Sequence, residues 1–130
     1  MVTTIVTPKV LFVEDESSLR RSYERYFGPR YAMAFAATGA EALRLLESHR
    51  PDITVLDMRL PDTDGVDLLR RLRGIRPDLT VIVTTAYLSI EPQLRVLNLP
   101  CSGYLVKPFD LDDLGRAIDL AWGRHATAGG

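Results

Sequence analysis

Five short apolar runs, separated by segments of helical period, constrain the fold of this chain more than any other sequence feature. The runs lie at Lys9–Val13, Tyr31–Ala37, Ile53–Leu56, Thr80–Thr84 and Gly103–Val106. Their apolarity is continuous rather than alternating, which is typical of parallel strands covered on both faces. We therefore predict an α/β fold of five βα repeats, with a parallel sheet, right-handed crossovers and helices on both faces.

The segments between the runs carry apolar residues at helical spacing and capping residues at their starts. Thr38 and Glu41 form a predicted capping box for the second helix. Asp110 is predicted to cap the last helix, although Gly115 inside that helix costs about 1 kcal/mol relative to alanine. The residues between successive runs are therefore predicted to be helical crossovers.

The fourth helix is predicted to be short. Ser89 would be its cap, and Pro92 would then lie in the first turn, where a missing N–H removes no helical hydrogen bond. Pro100 would close the helix within a few residues of Leu97.

Length and composition favour a single cytosolic domain. The 130 residues fit one domain, and the formal net charge of −1 argues against a dominant nucleic-acid-binding surface. No apolar run approaches the roughly 18 residues of a membrane span, and one cysteine, Cys101, excludes an internal disulfide. We predict an N-terminal arm at residues 1–8, a domain at residues 9–122 and a flexible C-terminal tail at residues 123–130.

Polar residues interrupt the apolar pattern where the predicted strands end. Glu14 and Asp15 end the first strand, Asp57 the third, Thr85 the fourth and Lys107 the fifth. Ligands of open α/β sheets bind outside the carboxyl ends of the strands, where the strand order reverses. In the order 2-1-3-4-5 that point lies between the first and third strands, so the three acids are expected to meet there.

Three carboxylates in one pocket repel one another, by about 4 kcal/mol for a pair 4 Å apart at an effective dielectric near 20. A trapped proton or a hard cation would relieve that repulsion. Mg²⁺ suits such oxygen ligands and commonly bridges to a phosphate. With the Thr85 hydroxyl and the Lys107 ammonium alongside, Asp57 is a candidate nucleophile that would form an aspartyl phosphate.

Four motifs in chain order resemble the receiver domains of bacterial two-component response regulators. They are VEDES at Glu14-Asp15, VLDMRLPDTDG at Asp57, VTTAY at Thr85 and GYLVKPF at Lys107. The resemblance extends from about Lys9 to Trp122 and implies a flavodoxin-like fold with the strand order 2-1-3-4-5.

The resemblance implies a phosphorylation site with a bound metal ion. Asp57 matches the residue that accepts a phosphoryl group from a sensor histidine kinase or phosphotransfer protein. Asp15 matches a direct ligand of Mg²⁺, with Mn²⁺ as an alternative ion, and Glu14 matches its acidic partner. The backbone carbonyl of Arg59 matches the third protein ligand.

The resemblance also assigns switch residues. Thr85 matches the hydroxyl that turns inward to bind phosphate, and Tyr104 matches the aromatic side chain that moves with it. Lys107 matches the phosphate-binding lysine, and its peptide bond to Pro108 is cis in the family.

Three departures from the family pattern bear on the position of the metal ion, the lifetime of the phosphate and the output face. Glu14 replaces a more frequent aspartate, and Arg59 and Tyr87 occupy positions that tune hydrolysis of the acyl phosphate. Residues 99–103, LPCSG, replace the usual Gly-Ala connection before the fifth strand, and together with Pro92 they make the output face around the fourth helix atypical for the family.

The chain is accordingly predicted to be a signalling switch and not a turnover enzyme. Phosphorylation would change the face formed by the fourth helix, fifth strand and fifth helix, which would control a downstream protein or output domain or support a homodimer. The chain could stand alone or form the front of a longer regulator. No direct contact with nucleic acid or membrane is expected.

Two alternatives are weighed against this function. A pseudo-receiver of the same fold would bind partners independently of phosphorylation. A flavin-binding electron carrier would need a phosphate-binding loop after the first strand, but that segment, EDESS, is acidic and lacks glycine.

Overall fold

The computed structural model describes residues 7–129, with side chains described as far as residue 123. Most of the predicted N-terminal arm, residues 1–6, lies outside the described residues. In the predicted tail, the described backbone continues the last helix to Gly129. The remaining side chains of the tail and Gly130 lie outside the described part, so its flexibility stays a prediction.

Strands and helices alternate throughout residues 7–129, as predicted. The elements are β1 Lys9–Val13, α1 Ser17–Phe27, β2 Ala32–Ala36, α2 Gly39–His49, β3 Ile53–Asp57, α3 Gly65–Ile75, β4 Thr80–Thr85, α4 Ile90–Val96, β5 Gly103–Val106 and α5 Leu111–Gly129. The five described strands are parallel and lie in the order β2-β1-β3-β4-β5. The predicted α/β fold and strand order are therefore confirmed.

Two core layers explain why the apolar runs are continuous. Leu11 and Leu56 face α2, α3 and α4, whereas Val10, Phe12 and Ile53 face α1 and α5. Each central strand is therefore buried on both faces. Successive residues of the strand are apolar as a result, instead of alternating between apolar and polar.

The register brings the carboxyl ends of the strands to one edge. Val13 lies opposite Ala36 on one side and Leu56 on the other, and Asp57 lies opposite Thr84. Strands β3 and β4 each extend one residue beyond the predicted runs. Asp57 and Thr85 are therefore the last residues of their strands, as predicted.

The start of α2 differs in detail from the predicted capping box. The Thr38 Oγ1 accepts a hydrogen bond from the Glu41 N–H at 3.1 Å, as expected. The Glu41 carboxylate, however, accepts from the N–H of Ala37 at 3.4 Å, one residue before the cap. The two side chains still satisfy two backbone donors at the helix start.

Helix α4 is short, as predicted, with seven residues. Ser89 occupies its N-cap position but makes no capping hydrogen bond through its side chain. The helix ends before Pro100, because Asn98 adopts a positive φ of 58° and the Leu99 N–H donates to the Leu94 carbonyl at 2.8 Å.

Gly115 lies where α5 approaches the end of α1. A Cβ at this position would lie 3.3 Å from the Phe27 ring and from the Arg30 guanidinium. Close packing therefore accounts for a glycine inside this helix. Across the described residues, no helix combines the length and apolarity needed to cross a membrane.

Candidate functional site

Three acidic side chains converge at the carboxyl edge of the sheet. Glu14 and Asp15 follow β1 and Asp57 ends β3, and one carboxylate oxygen from each lies within 4.8 Å of the other two. Glu14 and Asp57 are buried, with 2% and 5% exposure, whereas Asp15 is exposed. The pocket therefore has an acidic floor and one acid at its open side.

Lys107 joins this cluster from the end of β5. Its Nζ lies 2.7 Å from Glu14 Oε1 and 3.1 Å from Asp57 Oδ2. Its backbone N–H donates to the Thr85 carbonyl at 2.7 Å, and the following peptide bond to Pro108 is cis, the geometry that the resemblance implies. One ammonium is thus shared between two buried carboxylates.

The electrostatics of the cluster follow from its charge and burial. Burial, together with the charge of Asp57, raises the pKa of Glu14 to about 7, even though Lys107 acts in the opposite direction. Burial alone would lower the pKa of Lys107, but the hydrogen bonds and charges of Glu14 and Asp57 together raise it. Two carboxylates and one ammonium leave an excess negative charge, so the cluster favours an added proton or cation.

The donor set fits a hard divalent cation. The three carboxylates supply oxygen ligands close enough to share one ion, and Mg²⁺ prefers such ligands together with water. Exposure of Asp15 leaves the cluster accessible to a hydrated ion. Arg59 lies in the loop after β3, where its N–H donates to Asp57 Oδ1 at 3.2 Å; the role of its carbonyl stays a prediction.

The predicted switch residues are engaged in local hydrogen bonds. The buried Thr85 Oγ1 accepts from the Tyr87 N–H at 3.1 Å, and the Tyr87 side chain is exposed. The hydroxyl of the half-buried Tyr104 accepts from the Cys101 N–H at 2.8 Å. In this structure Tyr104 is therefore held by the loop that precedes β5.

The loop after Asp57 is held by contacts that the sequence reasoning missed. Asp64 Oδ1 accepts from the Val66 N–H at 2.7 Å and caps α3. Asp62 accepts from the N–H groups of Gly39 and Ala40 at 2.8 and 3.1 Å. The Asp-Gly pair before an apolar segment could have indicated the Asp64 cap. Nothing local could have indicated the Asp62 contacts, because they cross to the start of α2.

Arg20 is a further residue that the sequence reasoning left out of the site. Its guanidinium donates to the Glu14 backbone carbonyl at 2.8 Å. This bond ties the first turns of α1 to the segment that carries Glu14 and Asp15.

Comparisons with known proteins agree with this geometry. A family model described as the response regulator receiver domain matches residues 10–119. Transcriptional regulatory protein PrrA of Mycobacterium bovis is 40% identical, and the alignment covers 98% of this chain and 56% of PrrA. Sporulation initiation phosphotransferase F of Bacillus subtilis is 31% identical, with 88% of this chain and 93% of that protein covered.

The fold comparison gives the same result. A CheY-like response regulator receiver domain protein from Methanospirillum hungatei superposes with a TM-score of 0.86 at 27% identity, covering 95% of this chain and 99% of that chain. The chain thus spans about half the length of PrrA (56%) but nearly the whole of the Bacillus relative (93%).

Proposed function

Because the chain belongs to the response regulator receiver domain family of two-component signalling, we propose that Asp57 accepts a phosphoryl group from a phosphohistidine. The donor would be a sensor histidine kinase or a phosphotransfer protein. The observation that carries this proposal is the placement of Asp57 in a three-carboxylate pocket with the Lys107 ammonium 3.1 Å from its Oδ2.

The transfer is a displacement at phosphorus. A carboxylate oxygen of Asp57 forms a bond to the phosphorus atom, the bond from phosphorus to the donor imidazole nitrogen breaks, and that nitrogen keeps the electron pair. Asp15, Glu14 and Asp57 would hold Mg²⁺, or Mn²⁺ in its place, with the Arg59 carbonyl as a further ligand. Bound there, the ion would neutralise charge on the phosphoryl oxygens.

The side chains around Asp57 would then respond to the new group. An aspartyl phosphate carries a charge near −2 where the carboxylate carried −1, and it adds acceptor oxygens. Lys107 can turn from Glu14 toward those oxygens. The Thr85 oxygen is an acceptor in its bond with the Tyr87 N–H, so its hydroxyl hydrogen can be donated to the phosphoryl group.

We propose that these movements bias the face formed by α4, β5 and α5. Thr85 ends β4 directly before the loop to α4, and Tyr104 lies in β5 with its hydroxyl on the Cys101 N–H. A shift of this face by 1–3 kcal/mol, of the order typical for coupled sites, would be enough to change partner binding. The chain would promote its own phosphorylation and dephosphorylation without being a turnover enzyme, and the exchange would take place in the cytoplasm.

One observation favours phosphorylation-independent binding as the second candidate. The hydroxyl of Tyr104 is already held by the loop before β5, so the output face could keep one arrangement. Addition of beryllofluoride with Mg²⁺ separates the two functions. A switch predicts changed amide chemical shifts in α4 and β5, and a pseudo-receiver predicts none there.

Acetyl phosphate provides the direct test of the proposed function. With Mg²⁺, the intact wild-type protein is expected to gain one phosphoryl mass and Asp57→Asn none. Asp52→Asn is the matched control, because Asp52 immediately precedes β3 and accepts from the Lys9 N–H at the opposite end of that strand. Labelling of Asp57→Asn equal to that of the control would refute the assignment.

A further inference from the structure

Tyr23 carries a buried hydroxyl that the packing of α1 does not explain. Its side chain is 1% exposed, and its hydroxyl oxygen has no hydrogen-bond partner in the described part of the chain. A buried hydroxyl without a partner destabilises the folded protein, whereas phenylalanine would fill the same space without that cost. This hydroxyl is therefore expected to have a partner in another state of the protein.

The position of the ring relates this hydroxyl to the acidic pocket. The Tyr23 ring packs on Phe12 with centroids 4.9 Å apart. The Glu14 N–H continues the strand ladder by donating to the Ala36 carbonyl at 2.9 Å. Because alternate residues of an extended strand share a face, Phe12 and Glu14 lie on the face that α1 covers.

The direction of the Tyr23 side chain also relates its hydroxyl to the acidic pocket. Helix side chains lean toward the N-terminus of their helix, and α1 begins just after Asp15, at the edge that holds the acids. Burial is the largest cause of the raised pKa of Tyr23, and the charges of Glu14 and Asp57 raise it further. The hydroxyl thus lies within the electrostatic reach of both carboxylates.

Glu14 is the group in this pocket that loses a donor when the site is used. Its Oε1 accepts from Lys107 and its Oε2 accepts from the Glu16 N–H at 3.2 Å. If Lys107 turns to a phosphoryl group on Asp57, the buried Oε1 is left without its charged donor. Mg²⁺ would offset the charge of Glu14 from the open side of the pocket, and a hydrogen bond to the buried Oε1 would replace the one that Lys107 gave up.

We propose that Tyr23 is a positioning residue that supplies this hydrogen bond. Its phenolic hydroxyl donates to the Glu14 carboxylate, directly or through one buried water, when Lys107 binds the phosphoryl group. The inference rests on the proposed function of Asp57. It gives α1 a side-chain hydrogen bond to the Glu14 carboxylate, beside the bond that Arg20 of the same helix makes to the Glu14 backbone carbonyl.

Tyr23→Phe tests this role because it removes only the hydroxyl. Without phosphate donor or Mg²⁺, the variant should be as stable as the wild type or more stable. With acetyl phosphate and Mg²⁺, its phosphorylation should be roughly tenfold slower, as expected for loss of a hydrogen bond to a charged group. Tyr26→Phe is the matched control, because Tyr26 is on the same helix and partly exposed, and its rate should be unchanged.

A double-mutant comparison shows whether Tyr23 acts through Glu14. The effect of Tyr23→Phe should shrink in the Glu14→Gln background, since the charged acceptor is gone. An equal effect in both backgrounds, or an unchanged rate in Tyr23→Phe alone, would overturn the inference. The wild type would still be phosphorylated in either case, whereas failure of the proposed function would leave the wild type itself unlabelled.

A crystal structure of the wild-type beryllofluoride and Mg²⁺ complex gives a readout independent of rates and of the folding of any variant. The expected result is the Tyr23 hydroxyl within hydrogen-bond distance of Glu14, or of a buried water that also binds Glu14. A hydroxyl still surrounded only by carbon atoms would contradict the proposal.

Discussion

At the scale of single residues, the site depends on charges held where water is scarce. Asp57 ends a strand whose other residues are all buried, and it shares one ammonium with Glu14. Such a cluster is costly to keep in a folded protein, because desolvation penalises each charge. The structure places this cost at the carboxyl edge of the sheet, where Asp57 ends β3 and where Glu14 and Lys107 follow β1 and β5.

Asp62 permits a pH test of a single residue in the adjacent loop. The Gly39 and Ala40 N–H groups lower the pKa of its carboxyl. Its contribution to stability is therefore present above the ordinary pKa of aspartate, about 3.9, and is lost as the pH falls below that value. We expect the difference in urea midpoint between wild type and Asp62→Asn to be largest near neutral pH and to shrink toward pH 3.

The control for this prediction is Asp78→Asn, since Asp78 is an exposed aspartate in the turn before β4. Its difference from the wild type should stay small at every pH. A difference for Asp62→Asn that does not change between pH 7 and pH 3 would show that the charge on Asp62 does not contribute.

Cys101 provides a second test based on a single titrating group. Burial raises the pKa of its thiol to about 11, against the opposing effect of Arg73. The thiolate is the reactive form of cysteine. Because the pKa of Cys101 is raised, little thiolate is present in the folded protein at pH 8. Alkylation by iodoacetamide at pH 8 should be at least tenfold slower in the folded protein than in urea, as followed by intact mass. Equal rates would contradict the partial burial of this thiol.

At the scale of elements, glycines show where backbone approach limits the sequence. A Cβ at Gly65 would lie 2.5 Å from the Met58 Cα, so the start of α3 could not keep its contact with the end of β3. Gly74, also in α3, has no atom within 4 Å of such a Cβ. We expect Gly74→Ala to stabilise the protein by about 0.5–1 kcal/mol and Gly65→Ala to destabilise it by at least that much.

Chemical denaturation of the two variants measures both effects in one helix. Gly74→Ala is the matched control for the intrinsic preference of a helix for alanine. If Gly65→Ala were as stable as Gly74→Ala, this result would contradict the close approach of α3 to Met58.

The elements were largely predictable, because burial on both faces leaves a continuous apolar run in the sequence. Thr38, Pro92 and Asp110 marked helix starts, and the polar ends of the runs indicated where the acids would meet. Details that depend on tertiary contacts were not predictable. The Glu41 side chain binds the Ala37 N–H rather than the Thr38 N–H, and Asp62 binds a helix start 22 and 23 residues away along the chain.

The missing hydrogen-bond partner of the Tyr23 hydroxyl is another detail that the sequence could not predict, because it depends on tertiary contacts. A tyrosine at helical spacing predicts core packing, and its ring does pack in the core. Its unpartnered oxygen becomes evident only when α1 is placed on β1. Local patterns report which face of an element is buried, but they do not report which polar atoms are left without partners.

At the scale of the whole molecule, the acidic pocket should couple metal binding to folding. An ion that binds only the folded state raises the free energy of unfolding by about 1.4 kcal/mol at ten times its Kd. We expect Mg²⁺ to raise the Tm of the wild type at constant ionic strength. Asp15→Asn should largely lose this increase, because Asp15 is one of the three converging carboxylates.

Asp112→Asn is the control for this measurement, because Asp112 is an exposed aspartate in the first turn of α5. It should respond to Mg²⁺ as the wild type does. An equal response of Asp15→Asn would show that the increase arises elsewhere on the protein.

The proposed function depends most on the identity of the phosphorylated residue, and reduction with borohydride identifies that residue directly. Borohydride converts an aspartyl phosphate to homoserine, which peptide mass spectrometry can assign to one position. After treatment with acetyl phosphate and Mg²⁺, we expect homoserine at position 57 and at no other aspartate position. Homoserine at Asp15 or elsewhere, or a phosphoryl mass that yields no homoserine, would contradict it.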